Sequence, residues 1–355
     1  MRVIVDPQEW RAALSKAVAY DFYHTSDYHE LVSSDDAEPH LFVFEGSSAD
    51  IFLPLIISQR KLANRSFADA TSVYGYAGPV ATQEEVPSED CDAFVRELRR
   101  SLLEMNVVSL FSRLHPLLDN SHLVAGAGVT HHSGKTVSID LTESPDIQWS
   151  HYRKNHQRDI RKLKKSGVLC TSTRESSDLA AFSGLYNDTM LRLGAGAGYF
   201  FSMEYFEKMM SATDFEMQLF MCKHEGVSIC GGLFSVCNGV IQYHLGGTHS
   251  DFFRMAPTKL LFDTVRCWGS ECGLKVLHLG GGLGGTEDSL YRFKEGFSKR
   301  THDFQLWNWV LDQKKYGELE MLRRKQLQGE GGLSIDENYF PSYRAPATDM
   351  AKTEC

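Results

Sequence analysis

The run Lys275-Val276-Leu277-His278-Leu279, followed by Gly280-Gly281-Gly282-Leu283-Gly284-Gly285, constrains the fold of this chain more than any other stretch. A short apolar run bounded by glycine reads as a buried strand, and glycine alone lets the backbone turn sharply and approach a ligand closely. Thr286, Glu287, Asp288 and Ser289 then supply capping and first-turn residues for a helix carrying Phe293, Lys294 and Phe297. A strand that ends in such a turn before a capped helix is a place to hold an anion or an acyl carbonyl, with Gly280, Gly281 and Gly282 lining it. The spacing Gly280-x-Gly282-x-x-Gly285 also matches a dinucleotide fingerprint, but it comes late in the chain with no βαβ unit after it, so that reading lacks its context.

At 355 residues, 42% hydrophobic and 23% charged, the chain has material for roughly two cores of about 150 residues each. The formal net charge of -9 argues against a general binder of nucleic acid or membrane surfaces and leaves room for a local basic patch serving an anionic substrate. Asp6, Pro7 and Glu9 interrupt the start where a signal peptide needs apolar residues. No stretch approaches the roughly 18 apolar residues of a membrane span. The eight cysteines lack paired C-x-x-C spacing, which fits reduced thiols in a cytoplasmic protein.

The periodicity predicts a helix over 9–19, a hairpin of strands at 40–44 and 51–57, a helix over 89–105 with Ser88 as N-cap, and strands at 107–111 and 136–141. Val73 to Val80, rich in aromatics and glycine, reads as a loop lining something. From residue 147 the composition changes, with seven Lys or Arg residues between His151 and Val168. A second unit with a similar order follows: the basic helix, a strand near 168–171, a helix over 179–193, a hairpin of 217–223 and 228–237, a strand at 240–245, a helix over 258–269 and the strand into the glycine turn. The expected organisation is an N-terminal lobe over 1–145, a C-terminal lobe over 146–326 and a loose tail over 327–355. The recurring order makes the fold class α/β with mixed sheets flanked by helices.

Several motifs together resemble the FemAB-like branch of the GNAT acyltransferases. They are Leu277 to Gly282 with Glu287-Asp288, Leu290 to Phe297, Tyr186-Asn187-Asp188-Thr189-Met190 with Tyr199-Phe200 and Tyr205-Phe206, the basic helix over 152–165, and Gly231-Gly232-Leu233-Phe234. The match covers roughly 136–309, and the first half is similar in order. The resemblance implies two tandem GNAT-like lobes whose shared cleft joins an activated acyl donor to an amine, without a long inserted helical arm. It implies aminoacyl-tRNA as donor, with acyl-CoA as the alternative, and an acceptor amine on a cell-envelope or polysaccharide precursor or a small metabolite. By the same resemblance Phe293 and Lys294 lie near the donor's acyl linkage, and Lys294 is the cation expected to support the developing oxyanion or the donor's terminal phosphate.

Amine attack on an ester or thioester needs a neutral nucleophile, a proton acceptor and donors to the oxyanion. His244 and His278 are candidate proton carriers because imidazole titrates near neutrality, and Glu287 and Asp288 are alternative bases or plain helix-start residues. Strand alternation puts Tyr243 and His244 on opposite faces. Arg254 and Lys259, beside the start of the helix over 258–269, are candidate phosphate contacts. The turn from Gly246 to Lys259 departs from the compact Q/R-x-x-G-x-G/A loop of acetyltransferases, which favours a donor other than coenzyme A. Tyr74, Tyr76, Tyr199 and Tyr243 are candidate acceptor contacts. No H-E-x-x-H metal motif or G-x-S-x-G elbow occurs. A non-catalytic GNAT-like binding module is the remaining alternative.

Overall fold

In the computed structural model, which describes residues 1–329, 333–336 and 338–348, the chain alternates helices and strands throughout. It begins β1 (Arg2–Ile4), α1 (Pro7–Leu14), α2 (Ser26–Leu31), β2 (Ala37–Glu45), β3 (Asp50–Leu62), β4 (Arg65–Thr71), β5 (Val80–Ala81), α3 (Ser88–Glu104), β6 (Val107–Arg113) and β7 (Val129–Asp140). Next come α4 (Pro145–Ser150), α5 (Lys154–Lys165), β8 (Leu169–Thr173), α6 (Ser176–Arg192), α7 (Met203–Met210), β9 (Glu216–His224), β10 (Val227–Cys237) and β11 (Val240–Thr248). The rest is α8 (Thr258–Glu271), β12 (Val276–Gly281), α9 (Ser289–Glu295), β13 (Arg300–Val310), α10 (Gln313–Gly329), β14 (Ser334–Ile335) and β15 (Ala347–Thr348).

Two compact units result, one of residues 1–132 with 305–355 and one of residues 133–304. In the first, β2 and β3 form the expected hairpin, β4 pairs antiparallel with β3, and α3 crosses over so that β6 lies parallel to β4. Phe94, Leu98 and Leu102 of α3 are fully buried against that sheet, as their spacing of four requires. Pro87 rather than Ser88 occupies the N-cap, and Ser88 is the first helical residue. The carboxylate of Asp90 accepts the amides of Ser47, Ser48 and Ala49, which ties the hairpin turn to the helix. The first predicted helix stops at Leu14, because the Ser15 hydroxyl turns back to the Ala12 carbonyl.

The second unit repeats the plan. β8, β9, β10 and β11 are antiparallel neighbours, and α8 crosses over to set β12 parallel to β11. In each unit one strand arrives from elsewhere in the chain to pair antiparallel with the last parallel strand: Leu306 to Val310 of β13 on β6, and Thr136 to Asp140 of β7 on β12. These pairings put the divisions at 132/133 and 304/305 rather than at 145 and 326.

The tail expected over 327–355 lies partly outside the described residues, and its described part is packed. Leu327, Ile335 and Ala345 form a buried cluster. The Tyr343 hydroxyl donates to the Asp69 carboxylate, and its ring is buried beside Phe67. Among the described residues no helix is long and apolar enough to cross a membrane.

Candidate active site

The parallel strands β11 and β12 stay paired for only three residues, Val240 to Gln242 against Val276 to His278. Beyond that point β11 continues on β10 and β12 continues on β7. Each strand has a register shift at the level of the parting. Leu245 and Tyr243 pair with Leu233 and Phe234, leaving His244 as an extra residue, and Leu279 is skipped between the pairs of His278 and Gly280. A bulge bends and twists its strand, so two bulges side by side open the sheet between Tyr243 and Gly281. The corresponding ladder in the first unit, β4 with β6, pairs Ala68 to Thr71 with Val107 to Phe111 across a single register shift, at Ala68/Asp69.

The glycine turn fits this opening by necessity of space. A Cβ on Gly282 would sit 2.0 Å from the Thr286 carbonyl oxygen, and one on Gly285 would sit 2.4 Å from that of Ser133. Gly280 has φ +75, in the left-handed region that disfavours side chains. Asp288 caps α9 by accepting the amides of Tyr291 at 2.8 Å and Leu283 at 3.1 Å. Burial works against its charge, but those amides, that of Leu290, and nearby Lys294 hold its carboxyl below the usual range. Asp288 is therefore a committed cap, and the exposed Glu287 is paired with Arg292 at 2.8 Å. Both residues lie at the turn, and their partners are structural.

Lys294 is 6% exposed. Its ammonium donates to the Gly281 carbonyl at 2.7 Å and stands 5.8 Å from the centroid of the Tyr243 ring. Burial lowers its pKa to about 8, opposed by Asp288. A dehydrated cation is thus held where the strands part, charged at neutral pH, and the Gly281 carbonyl uses one of its three N–H donors. Phe293, beside it, packs on Phe262 of α8 and on Phe297.

Tyr243 and His244 do lie on opposite faces. Tyr243 packs edge-on against Phe262 with centroids 4.8 Å apart, and a Cβ on Gly246 would strike its hydroxyl. His244 meets the Tyr205 hydroxyl of α7 at 3.2 Å. Burial lowers its pKa to about 3, too weak a base to take a proton from an ammonium near neutrality. His278 is fully buried and shares a 2.6 Å hydrogen bond with Gln242. The amide oxygen of Gln242 can only accept, so Nδ1 of His278 is the donor in this pair.

The other expected residues are more dispersed. Lys259 is buried and ion-paired with Asp159 of α5 at 2.7 Å, which ties it to packing between helices. Arg254 is exposed in the turn before α8. No side chain caps α8, and the amides of Lys259 and Leu260 donate to the Ala256 and Pro257 carbonyls at 3.0 Å. Tyr199 is 43% exposed, and its carbonyl accepts the Tyr186 hydroxyl at 2.8 Å. Tyr74 and Tyr76 belong to the first unit, where Tyr74 is exposed near Arg113 and Tyr76 lies against Tyr23 and His115.

Periodicity gives no sign of the residues that hold α9 in place. Arg153, just before α5, donates from its backbone to the Gly296 carbonyl at 2.8 Å, from its guanidinium to the Arg292 carbonyl at 3.1 Å, and pairs with Glu295. His156 of α5 is hydrogen-bonded to the Phe293 carbonyl at 2.9 Å, and a Cβ on Gly296 would strike its ring. The basic helix is therefore a clasp for the Lys294 helix on one face and a charged surface on the other. Among the described residues no group of three or more His, Cys, Asp or Glu is arranged to hold a metal ion.

Residues 150–295 match the family model of the acetyltransferase (GNAT) domain. No curated protein matches the chain in sequence. Among solved structures the chain is similar to FemX, with a TM-score of 0.70 and 13% identity over 90% of this chain and 99% of that one. It is also similar to L-PGS from Bacillus licheniformis, with a TM-score of 0.54 and 14% identity over 87% and 93%. A third similar structure, a protein of unknown function from Bacteroides thetaiotaomicron, has a TM-score of 0.54 at 9% identity over 86% and 96%. The second unit thus carries an acetyltransferase (GNAT) domain over residues 150–295, and the chain as a whole shares its fold with FemX.

Proposed function

We propose that the chain transfers an aminoacyl group from aminoacyl-tRNA to the amine of an acceptor, a cell-envelope or polysaccharide precursor or a small metabolite, at the opening between β11 and β12. The observation that carries this reading is the dehydrated Lys294 ammonium beside the Gly281 carbonyl. A neutral amine attacks the ester carbonyl, the carbonyl oxygen gains negative charge, and the tRNA hydroxyl leaves with the proton the amine loses. A fixed cation in a site of low dielectric stabilises that oxygen more than it stabilises the neutral ester, which is the condition for lowering the barrier. Its positive charge also keeps the incoming amine neutral by disfavouring a second cation.

The choice of donor rests on the turn between β11 and α8. Its long form, with Lys259 committed to Asp159, suits a donor other than coenzyme A. The match of residues 150–295 to the acetyltransferase domain supports acyl-CoA as the second reading. The deciding experiment incubates the protein with charged tRNA or with acyl-CoA against a panel of amines and reads the products by mass spectrometry. An aminoacylated amine formed only with charged tRNA is the expected result. Thiol release from acyl-CoA with an acylated amine overturns the tRNA reading, and no product from either donor favours a non-catalytic binding module.

A further inference from the structure

Three cysteines meet across three neighbouring strands of the second unit. Cys170 of β8 and Cys230 of β10 both stand directly opposite Cys222 of β9. The second pairing depends on a bulge: β10 skips Ile229 between the pairs of Ser228 and Cys230, which places a thiol rather than the isoleucine sec-butyl group opposite Cys222. Opposite residues of an antiparallel pair have Cα atoms about 4.5–5.5 Å apart, within the range that a disulfide spans. The three residues thus stand in one row across the strands. Their exposure is graded, since Cys222 and Cys230 are buried while Cys170 is half-buried on β8, the outer strand of this sheet. All three are free thiols.

The row also reaches the turn before α8. The sulfur of Cys230 lies 3.5 Å from the Thr248 hydroxyl and 3.6 Å from that of Thr258, and those hydroxyls are 3.3 Å apart. Thr248 ends β11 and Thr258 starts α8. The Cys222 thiol points at the Pro257 carbonyl at 4.0 Å. A movement of either inner sulfur therefore acts on both ends of the turn.

We propose that Cys170 and Cys222 are a disulfide-forming pair responsive to hydroperoxides, and that closing the bond loosens the Thr248–Thr258 clasp and weakens donor binding. The half-buried Cys170 thiol reacts with a hydroperoxide: its sulfur takes the distal oxygen, the O–O bond breaks, the thiol proton leaves with the alcohol or, from hydrogen peroxide, with water, and Cys170 becomes a sulfenic acid. The Cys222 sulfur then attacks the Cys170 sulfur, the S–O bond breaks, and the Cys222 proton leaves with the displaced hydroxyl as water. Two thiols are oxidised by two electrons and one peroxide bond is reduced.

The effect on donor binding rests on the function proposed above, whereas the modification itself does not. Hydrogen peroxide is added to the full chain, remaining thiols are blocked, and a non-reducing digest is mapped by mass spectrometry. The expected result is a Cys170–Cys222 cross-linked peptide that reductant abolishes and that neither Cys170→Ser nor Cys222→Ser forms. Cys272 is exposed, so its oxidation reports that the peroxide dose sufficed. Cys170 recovered uncrosslinked at that dose overturns the proposal. Oxidation is expected to lower transfer about tenfold, within the usual range of coupling between two sites, with recovery by reductant and no such loss in Cys170→Ser. Should the chain transfer nothing in either state, hydrogen exchange over residues 248–259 is the readout. Faster exchange on oxidation supports the coupling, and unchanged protection overturns it.

Discussion

Lys294 shows how one residue acquires chemistry from its surroundings. A lysine on a helix is ordinarily hydrated and charged far above neutral pH, but here α9 turns it inward onto the Gly281 carbonyl and burial lowers its pKa to about 8. Replacing it by methionine keeps the stem and removes the charge. Lys294→Met is expected to lower kcat/KM by about 100-fold, the usual loss on removing one oxyanion donor, with thermal stability retained. Equal transfer rates in the variant and the parent would remove Lys294 from the reaction. The same group sets a pH dependence. Its cation is present below about pH 8 and lost above it, so with an acceptor amine of low pKa, kcat/KM is expected to fall as pH rises through about 8. A rate that keeps climbing to pH 10 would contradict this. His244 lies at the other extreme, neutral throughout the working range because burial lowers its pKa to about 3.

At the scale of elements, the site is two bent strands and a clasped helix. The bulges at His244 and Leu279 part β11 from β12, and Arg153 with His156 holds the last turn of α9. His156→Ala removes one of two donors to the Phe293 carbonyl, leaving the Gly296 amide at 3.1 Å, and opens a gap in a buried contact, at a cost of about 1–3 kcal/mol. The expected signature is faster hydrogen exchange across α9 together with a lower melting temperature. A lower melting temperature with α9 protection unchanged would place the role of His156 elsewhere. The strands β2, β3, β6 and β8 to β12, the C-terminal part of β7, and the helices α3, α5, α6 and α8 were legible from periodicity and turn residues, whereas β1, β4, β5 and β13 were not predicted. The bulges were not, since a bulge is a mismatch between two strands and is written in neither one alone.

For the molecule as a whole, chain order and packing order differ. The segment after α10 looked like a tail from its Gly, Pro and charge content, yet Tyr343 is buried against Asp69 and 2.8 Å from the Ser109 hydroxyl. Tyr343→Phe strips a buried carboxylate of a donor, so a loss of about 1–3 kcal/mol in urea unfolding is expected, and an unchanged midpoint would show that this segment does not stabilise the first unit. Acid sensitivity is shared by both units. Burial lowers the pKa of His24 to about 3, His29 to about 4 and His244 to about 3. Between these values and about 6.5 the unfolded chain binds more protons than the folded one, so stability is complete above about pH 6.5 and declines as pH falls below it. A melting temperature that stays constant from pH 7 to pH 5 would refute this.

By itself the sequence determined what is local: which residues form helices and strands, the glycine turn that only unbranched backbone can make, the capped helix behind it, and the recurrence that identifies two similar units. Tertiary structure alone decided where the units divide, because that depends on which partner β7 and β13 find at the edge of a sheet. It also decided that Lys294 is dry, that Lys259 is committed to Asp159, and that three cysteines spaced far apart along the chain stand in one row. Periodicity records a residue's neighbours three or four positions away, whereas dehydration, ion pairing and strand register depend on residues a hundred positions away that only folding brings into contact.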